Sequence, residues 1–498
     1  MMTAHPYRLF ILLLLIVSNI HGLLAQKQSA DELATSTYFE SIRSNEALLT
    51  AFLNAMPKGG DIHHHFSGSV YGETYLEFVK NASHLWINTE TLKIEDEKPT
   101  ELSESELAKW MTIGELKASE QFEPLKELLL RRWSVKDYNF ERPGHEQFFE
   151  SFDYFGVASR PTLKKSLLLM KERAKKESVQ YIETQFKSVK LNGIDLSAFE
   201  RYDSLLHAAQ TNRDEAQVEQ LLKQLQKELD IKSLQQSVDF YNDWIKDLHK
   251  ELAIDDQRFT MRYQAFVKRF QNPSKLFINT VANFMAADQN HLVVGVNILA
   301  PEHKTVSMSD YWLHMQFFKF CHKLFPKVKY SMHAGELVLG MVKPEELTWH
   351  ISEAVYTAAA HRIGHGVAIY HENNCYELLN YMKSHEIAVE INLSSNEFIL
   401  GVQDDAHPIT LYHAFGVPIV ISTDDAGVLR NNLCQQFVLL AQRYPQFSYA
   451  DIKQFVYNSI TYSFIEKSSV KKRLKVNLDR LFTQFEHSIV QYTTTQKK

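Results

Sequence analysis

Cysteine is scarce in this chain, with three among 498 residues: Cys321, Cys375 and Cys434. Three scattered thiols cannot build a disulfide framework, and an odd count leaves at least one unpaired, so the fold has to stand on its core. A surplus of positive charge is missing too. Lys and Arg number 54 against 60 Asp and Glu, the net charge is −6 and the pI is near 6.4, which offers no basic face to a nucleic acid. Long hydrophobic runs are also absent. The apolar stretch LFILLLLIV (Leu9–Val17) falls well short of the ~20 residues that a bilayer-spanning helix needs. No cysteine stands directly after that stretch, which counts against lipid attachment there. Arg8 and His5 precede it and GLLA, ending at Ala25, closes it. Residues 1–25 therefore read as an export signal cleaved before Gln26, and predict a secreted or periplasmic protein with no stable membrane association afterwards; an uncleaved N-terminal anchor is the alternative.

What is present is an ordinary globular composition, 45% hydrophobic and 23% charged, with a generous 12% aromatic content. Residues 26–55 read as a helical lead-in, with Leu33, Tyr38, Ile42 and Leu48–Leu49 at rough helical spacing. Residues 56–490 read as one catalytic domain, carrying a charged, helix-prone insertion over about 84–150. A second charged stretch, DEAQVEQLLKQLQKEL (214–229), reads as a nearly solvated helix. Eight strand candidates are spread along the domain: GGDIHHHF (59–66), QYIETQF (180–186), FTMRYQAFV (259–267), HLVVGVNIL (291–299), KVKYSMHAG (327–335), RIGHGVAI (362–369), EIAVEINLSS (386–395) and VPIVISTDD (417–425). Helical stretches separate them, which implies βαβ units and parallel pairing. An open doubly wound sheet competes with a closed barrel. The polar residues decide between them, because they gather at the C-terminal ends of strands one, five, six and eight, which only a barrel brings to one axis. The predicted fold is an α/β (β/α)8 TIM barrel with a helical N-terminal extension and helical insertions.

Alternation along the first strand turns His63 and His65 the same way and His64 the other. His333 in HAGE offers a third imidazole, and one aspartate of STDDAG an oxygen. Three histidines and a carboxylate, with one position left for water, suit a catalytic zinc. Glu336 lies close enough to His333 to share the pocket without ligating, and His365 ends its own strand as a candidate base. Of Asp424 and Asp425, one can face the metal while its neighbour reaches a bound substrate.

The set MPKGGDIHHHFSGS, MHAGE, RIGHG, EINLSSN and ISTDD, in this order over residues 56–425, resembles the adenosine deaminase family of metal-dependent amidohydrolases. The lead-in, signal and longer first insertion look more like its exported, growth-factor-type branch. The resemblance implies that His63, His65, His333 and Asp424 hold one Zn2+ per chain. It implies that His365 orients the attacking water and accepts its proton, that Glu336 protonates purine N1, and that Asp425 holds N7. Ser67 stands where the family often has an aspartate that helps read the ribose, and Ala300 where a glycine usually offers its amide to the purine. DDAG replaces the usual DDP after the second aspartate.

The implied partner is a small purine nucleoside, adenosine or 2′-deoxyadenosine. Two alternatives stay open: another 6-aminopurine nucleoside or nucleotide, prompted by Ser67, and a secreted binding or signalling protein on the same barrel. No basic cluster flanks the pocket motifs, which counts against a phosphate. A two-metal site with a bridging lysine is disfavoured by the lysine-free VVGVNILA. A homodimer is compatible with the sequence, but nothing in it selects an oligomeric state.

Overall fold

The computed structural model describes residues 29–496; the expected export signal, 1–25, lies outside them. All eight expected strands form, and we label them β1 (Gly59–His65), β2 (Val179–Gln185), β3 (Thr260–Lys268), β4 (Val293–Leu299), β5 (Lys329–Ala334), β6 (Arg362–His365), β7 (Ala388–Ile391) and β8 (Ile419–Ile421). Each pairs in parallel with its successor, so sheet order follows chain order. The ring is completed by a parallel bridge between His64 and Asp424, where Asp424 N–H donates to His63 C=O at 2.9 Å. The result is a (β/α)8 barrel. Its strands are buried along almost their whole length, which is why they read as apolar runs rather than as alternating ones.

The helices form where apolar spacing gives them a face to bury. Pro273 opens the helix Pro273–Gln289 in its first turn, where a missing N–H costs nothing. Ser448 and Asp451 form a reciprocal capping box on Tyr449–Thr461. The lead-in folds as Ala30–Ile42 and Glu46–Ala55. It packs on Tyr449–Thr461 and Ser468–Gln496 through Phe39, Phe52, Tyr449 and Phe485.

Two local readings need correction. The insertion is not helical throughout: Trp86–Asn88, Ile94–Glu95 and Trp110–Thr112 pair as a small antiparallel sheet. Its later part reaches the helix Leu393–Leu400 after β7 and the loop after β8, with Val135 N–H on Val428 C=O at 2.9 Å and Tyr138 edge-on to Phe398. The helix Glu215–Glu228 is not solvated all round either. It buries Val218, Leu221, Leu222 and Leu225, facing the helix Tyr311–Leu324, because four apolar residues at helical spacing are enough to make a stripe. All three cysteines are free thiols. Among the described residues no helix is long and apolar enough to cross a membrane.

Candidate active site

The C-terminal ends of β1, β5, β6 and β8 bring His63, His65, His333, His365 and Asp424 together. Backbone shape contributes: Ala300 (φ 92°), His365 (φ 66°) and Asp424 (φ 61°) all turn through the left-handed region just where β4, β6 and β8 end. For residues bearing a Cβ such conformations cost on the order of 1–3 kcal/mol, and they gather at sites that need a side chain re-aimed. On β1, the two residues between Asp61 and His64 oppose one on β2, and across this irregularity His63 and His65 stay inward while His64 faces Thr184 Oγ1 at 2.9 Å.

Four donor atoms form a compact cradle. His65 Nε2 lies 3.2 Å from His333 Nε2, 3.4 Å from His63 Nε2 and 3.3 Å from Asp424 Oδ1, and His63 Nε2 lies 3.6 Å from the same oxygen. Ligands at the usual ~2.0–2.1 Å from a Zn2+ are separated by about 3.3 Å in tetrahedral geometry, and these four separations are of that size. The imidazoles are also presented correctly. His63 Nδ1 meets Glu390 Oε2 at 2.6 Å and His333 Nδ1 meets Asn297 Oδ1 at 2.9 Å, which keeps the proton on Nδ1 and frees Nε2 for a metal. Burial holds His65 down at about 3, and burial with the neighbouring imidazoles holds His333 well below the usual range. Both are therefore neutral, as ligation demands. Gly364 permits the close packing, since a Cβ there would stand 2.7 Å from His63 Cε1.

Around the cradle stand the acids. Burial, then Asp424 and Glu302, push Glu336 well above the ordinary carboxylate range; burial and Asp424 do the same for Asp425. Asp425 Oδ1 is buried with no protein partner among the described residues. Glu336 Oε1 lies 3.7 Å from His365 Nε2, and Asp424 Oδ2 lies 3.9 Å from it. Ser67 is half-buried, and its carbonyl accepts from Tyr75 OH at 2.7 Å. Ala300, also half-buried, ends β4 in the conformation that a glycine would adopt without strain.

The supports beneath these groups escaped the sequence reading. Glu302 accepts from the N–H groups of Gly335 (3.1 Å) and Glu336 (2.9 Å), holding the HAGE turn from behind, and Arg269 Nη2 donates to His333 C=O at 2.7 Å. Glu390 also accepts from Ser331 and from the buried Arg362. Burial would raise Glu390, but Arg362 and His63 outweigh it and hold it at about 2. The available signal was a carboxylate or amide inside an apolar strand: Glu183, Asn297 and Glu390 all break such runs. A cavity of about 480 Å³ opens at the opposite, N-terminal end of the barrel, beside Lys329, His361 and Lys471, and contains none of the cluster.

Comparison with known proteins agrees with this geometry. A family model described as adenosine deaminase matches residues 233–481. An adenosine deaminase from Clostridium kluyveri is 32% identical over 143 residues, covering 28% of this chain and 38% of that enzyme, so the chain spans well under half the length of this curated relative. Among solved structures, the N6-methyl-AMP deaminase of Arabidopsis thaliana superposes with a TM-score of 0.53 at 17% identity, over 86% of this chain and 98% of that one. A zinc-bound amidohydrolase from Burkholderia ambifaria gives 0.50 at 16% identity, over 89% and 95%. At such identities these two likenesses speak for the fold alone. The motif order, the barrel and a family match over half the sequence converge: the chain belongs to the adenosine deaminase family.

Proposed function

We propose that this protein hydrolytically deaminates adenosine or 2′-deoxyadenosine to the 6-oxo nucleoside and ammonia. The observation that carries the reading is the cradle of His63, His65, His333 and Asp424, with two carboxyls of raised proton affinity beside it. Zinc fits this donor set, and when bound it supplies an acidified water with a pKa near ~7. The chain's own residues do the rest. Glu336, kept protonated by burial, donates to N1 as the oxygen adds at C6. Asp425, also protonated, donates to N7 and fixes the ring. His365 faces the attacking oxygen between Glu336 and Asp424. Water adds across C6–N1; the proton it sheds returns to the Glu336 carboxylate and passes to the amino nitrogen, the bond from C6 to that nitrogen breaks, and ammonia leaves a C6 carbonyl. The apolar run Leu9–Val17 supports the further reading that the enzyme is exported.

A second substrate class, 6-substituted purine nucleotides, is favoured by Ser67 in place of an aspartate and by the similarity to the N6-methyl-AMP deaminase of Arabidopsis. The test follows loss of adenosine absorbance with metal-replete full chain, using adenosine, deoxyadenosine, AMP and N6-methyl-AMP. Nucleoside turnover is expected, with Glu336→Gln lowering kcat on the order of 10³-fold while metal content is kept. Turnover of the nucleotides alone would move the reading to the second class, and silence across the panel would sink both.

A further inference from the structure

Three histidines at this site are oriented through Nδ1, and their partners differ in kind. For His63 and His333 the partner is an oxygen acceptor. The sense at His333 is set further out: the Glu183 carboxylate can only accept, so Gln264 Nε2 donates to it (2.8 Å), and Gln264 Oε1 takes Asn297 Nδ2 (3.3 Å). Asn297 Oδ1 is thereby turned toward His333 Nδ1.

His365 is the opposite case. Its Nδ1 faces Asn396 Nδ2 at 3.0 Å and Asn392 Nδ2 at 3.5 Å, two amide donors. An asparagine could in principle be reversed, but here a backbone group fixes the direction. The Ile409 N–H donates to His407 Nδ1 at 3.1 Å, so that nitrogen carries no proton. Buried His407, held down at about 3 by burial and then by Arg443, is neutral and keeps its proton on Nε2. That N–H donates to Asn396 Oδ1 at 3.0 Å, which leaves the Asn396 amide group for His365 Nδ1. A backbone N–H has one polarity, so the whole chain of bonds runs one way.

We propose that His407 and Asn396 are positioning residues that lock His365 with its proton on Nε2, so that His365 presents an N–H donor rather than a lone pair to the oxygen attacking C6. The inference rests on the deaminase reading for the identity of that oxygen, but the lock itself belongs to the chain alone. It replaces the acceptor role that family resemblance suggested for His365. As a donor, His365 aims a water lone pair at C6 and steadies charge on the oxygen.

The test uses full-length protein labelled with 15N-histidine and two-bond 1H–15N correlation spectra, which distinguish the two neutral tautomers. His365 is assigned by the signal lost in His365→Asn. The expected result is an Nε2–H pattern for His365 in the wild type and in His407→Gln, whose amide can still donate to Asn396. His407→Ala should lose that pattern, with kcat falling about 10–100-fold and KM and metal content nearly unchanged. Should His407→Ala fail to fold, Asn396→Asp puts an acceptor against Nδ1 and is expected to move the proton there. An Nδ1–H pattern in the wild type, or a pattern and kcat indifferent to both substitutions, overturns the proposal. An Nε2–H pattern in a protein that turns over no panel member would leave the lock standing and remove the deaminase reading.

Discussion

The cradle shows how little freedom single residues have at this site. A Cβ on Gly68 would lie 1.7 Å from Asp425 Oδ1 and 2.8 Å from Asp425 Cβ, so this glycine exists to let the second aspartate lie against the loop after β1. Gly68→Ala should therefore displace Asp425 from the purine proposed as substrate without unfolding the barrel. Loss of one hydrogen bond to a charged or strongly polarised partner is worth about 1.5–3 kcal/mol, or on the order of 10- to 100-fold in kcat/KM. Steady-state kinetics beside a melting curve and a metal assay would check it: a shifted Tm or a lost metal with unchanged kcat/KM contradicts the assignment.

Elements are joined to the barrel by buried carboxylates as well as by apolar packing. Glu372, just before the helix Cys375–Ser384, accepts from the N–H groups of Ile351 (2.6 Å) and Ser352 (3.3 Å), and so caps the start of the helical segment that follows His350. Burial, only partly offset by those bonds, pushes its carboxyl from 4.5 up to about 7. Between these two values the folded protein holds a proton that the unfolded chain has released. This contribution to stability is therefore full below about 4.5 and is lost as pH rises to about 7. Glu372→Gln keeps an acceptor for Ile351 without the titration. The variant should gain on the wild type across that window, by no more than about 3 kcal/mol, in denaturant melts at stepped pH. A constant difference at all pH values would refute the argument.

At the scale of the whole molecule, the N-terminal helices are part of the core. Phe52 is 4% exposed and sits edge-on to Phe485 at 5.0 Å and to Tyr449 at 6.0 Å, tying the start of the described chain to its last two helices. Phe52→Ala should cost about 3–5 kcal/mol by leaving a cavity there. Because the site sits at the strand C-termini, kcat of the folded fraction should stay unchanged. Chemical denaturation with active-site titration separates the two effects; a large fall in kcat at full stability would mean that this pair of helices shapes the site.

The sequence alone determined the barrel and the polar residues at its mouth. Eight apolar runs with helices between them leave few parallel topologies, and strand alternation already separates His63 and His65 from His64. Only the tertiary structure decided what holds those residues and how they are protonated. Glu390, Asn297, Glu302 and His407 act across 327, 36, 34 and 11 residues of chain, distances at which local periodicity carries no information. The left-handed turns at Ala300, His365 and Asp424 were equally invisible, since residues bearing a Cβ adopt that conformation uncommonly and nothing in the strand pattern marks where. Which nitrogen of His365 bears a proton depends on the backbone N–H of Ile409, two hydrogen-bonded side chains away, and the fold has to exist before that N–H has a direction.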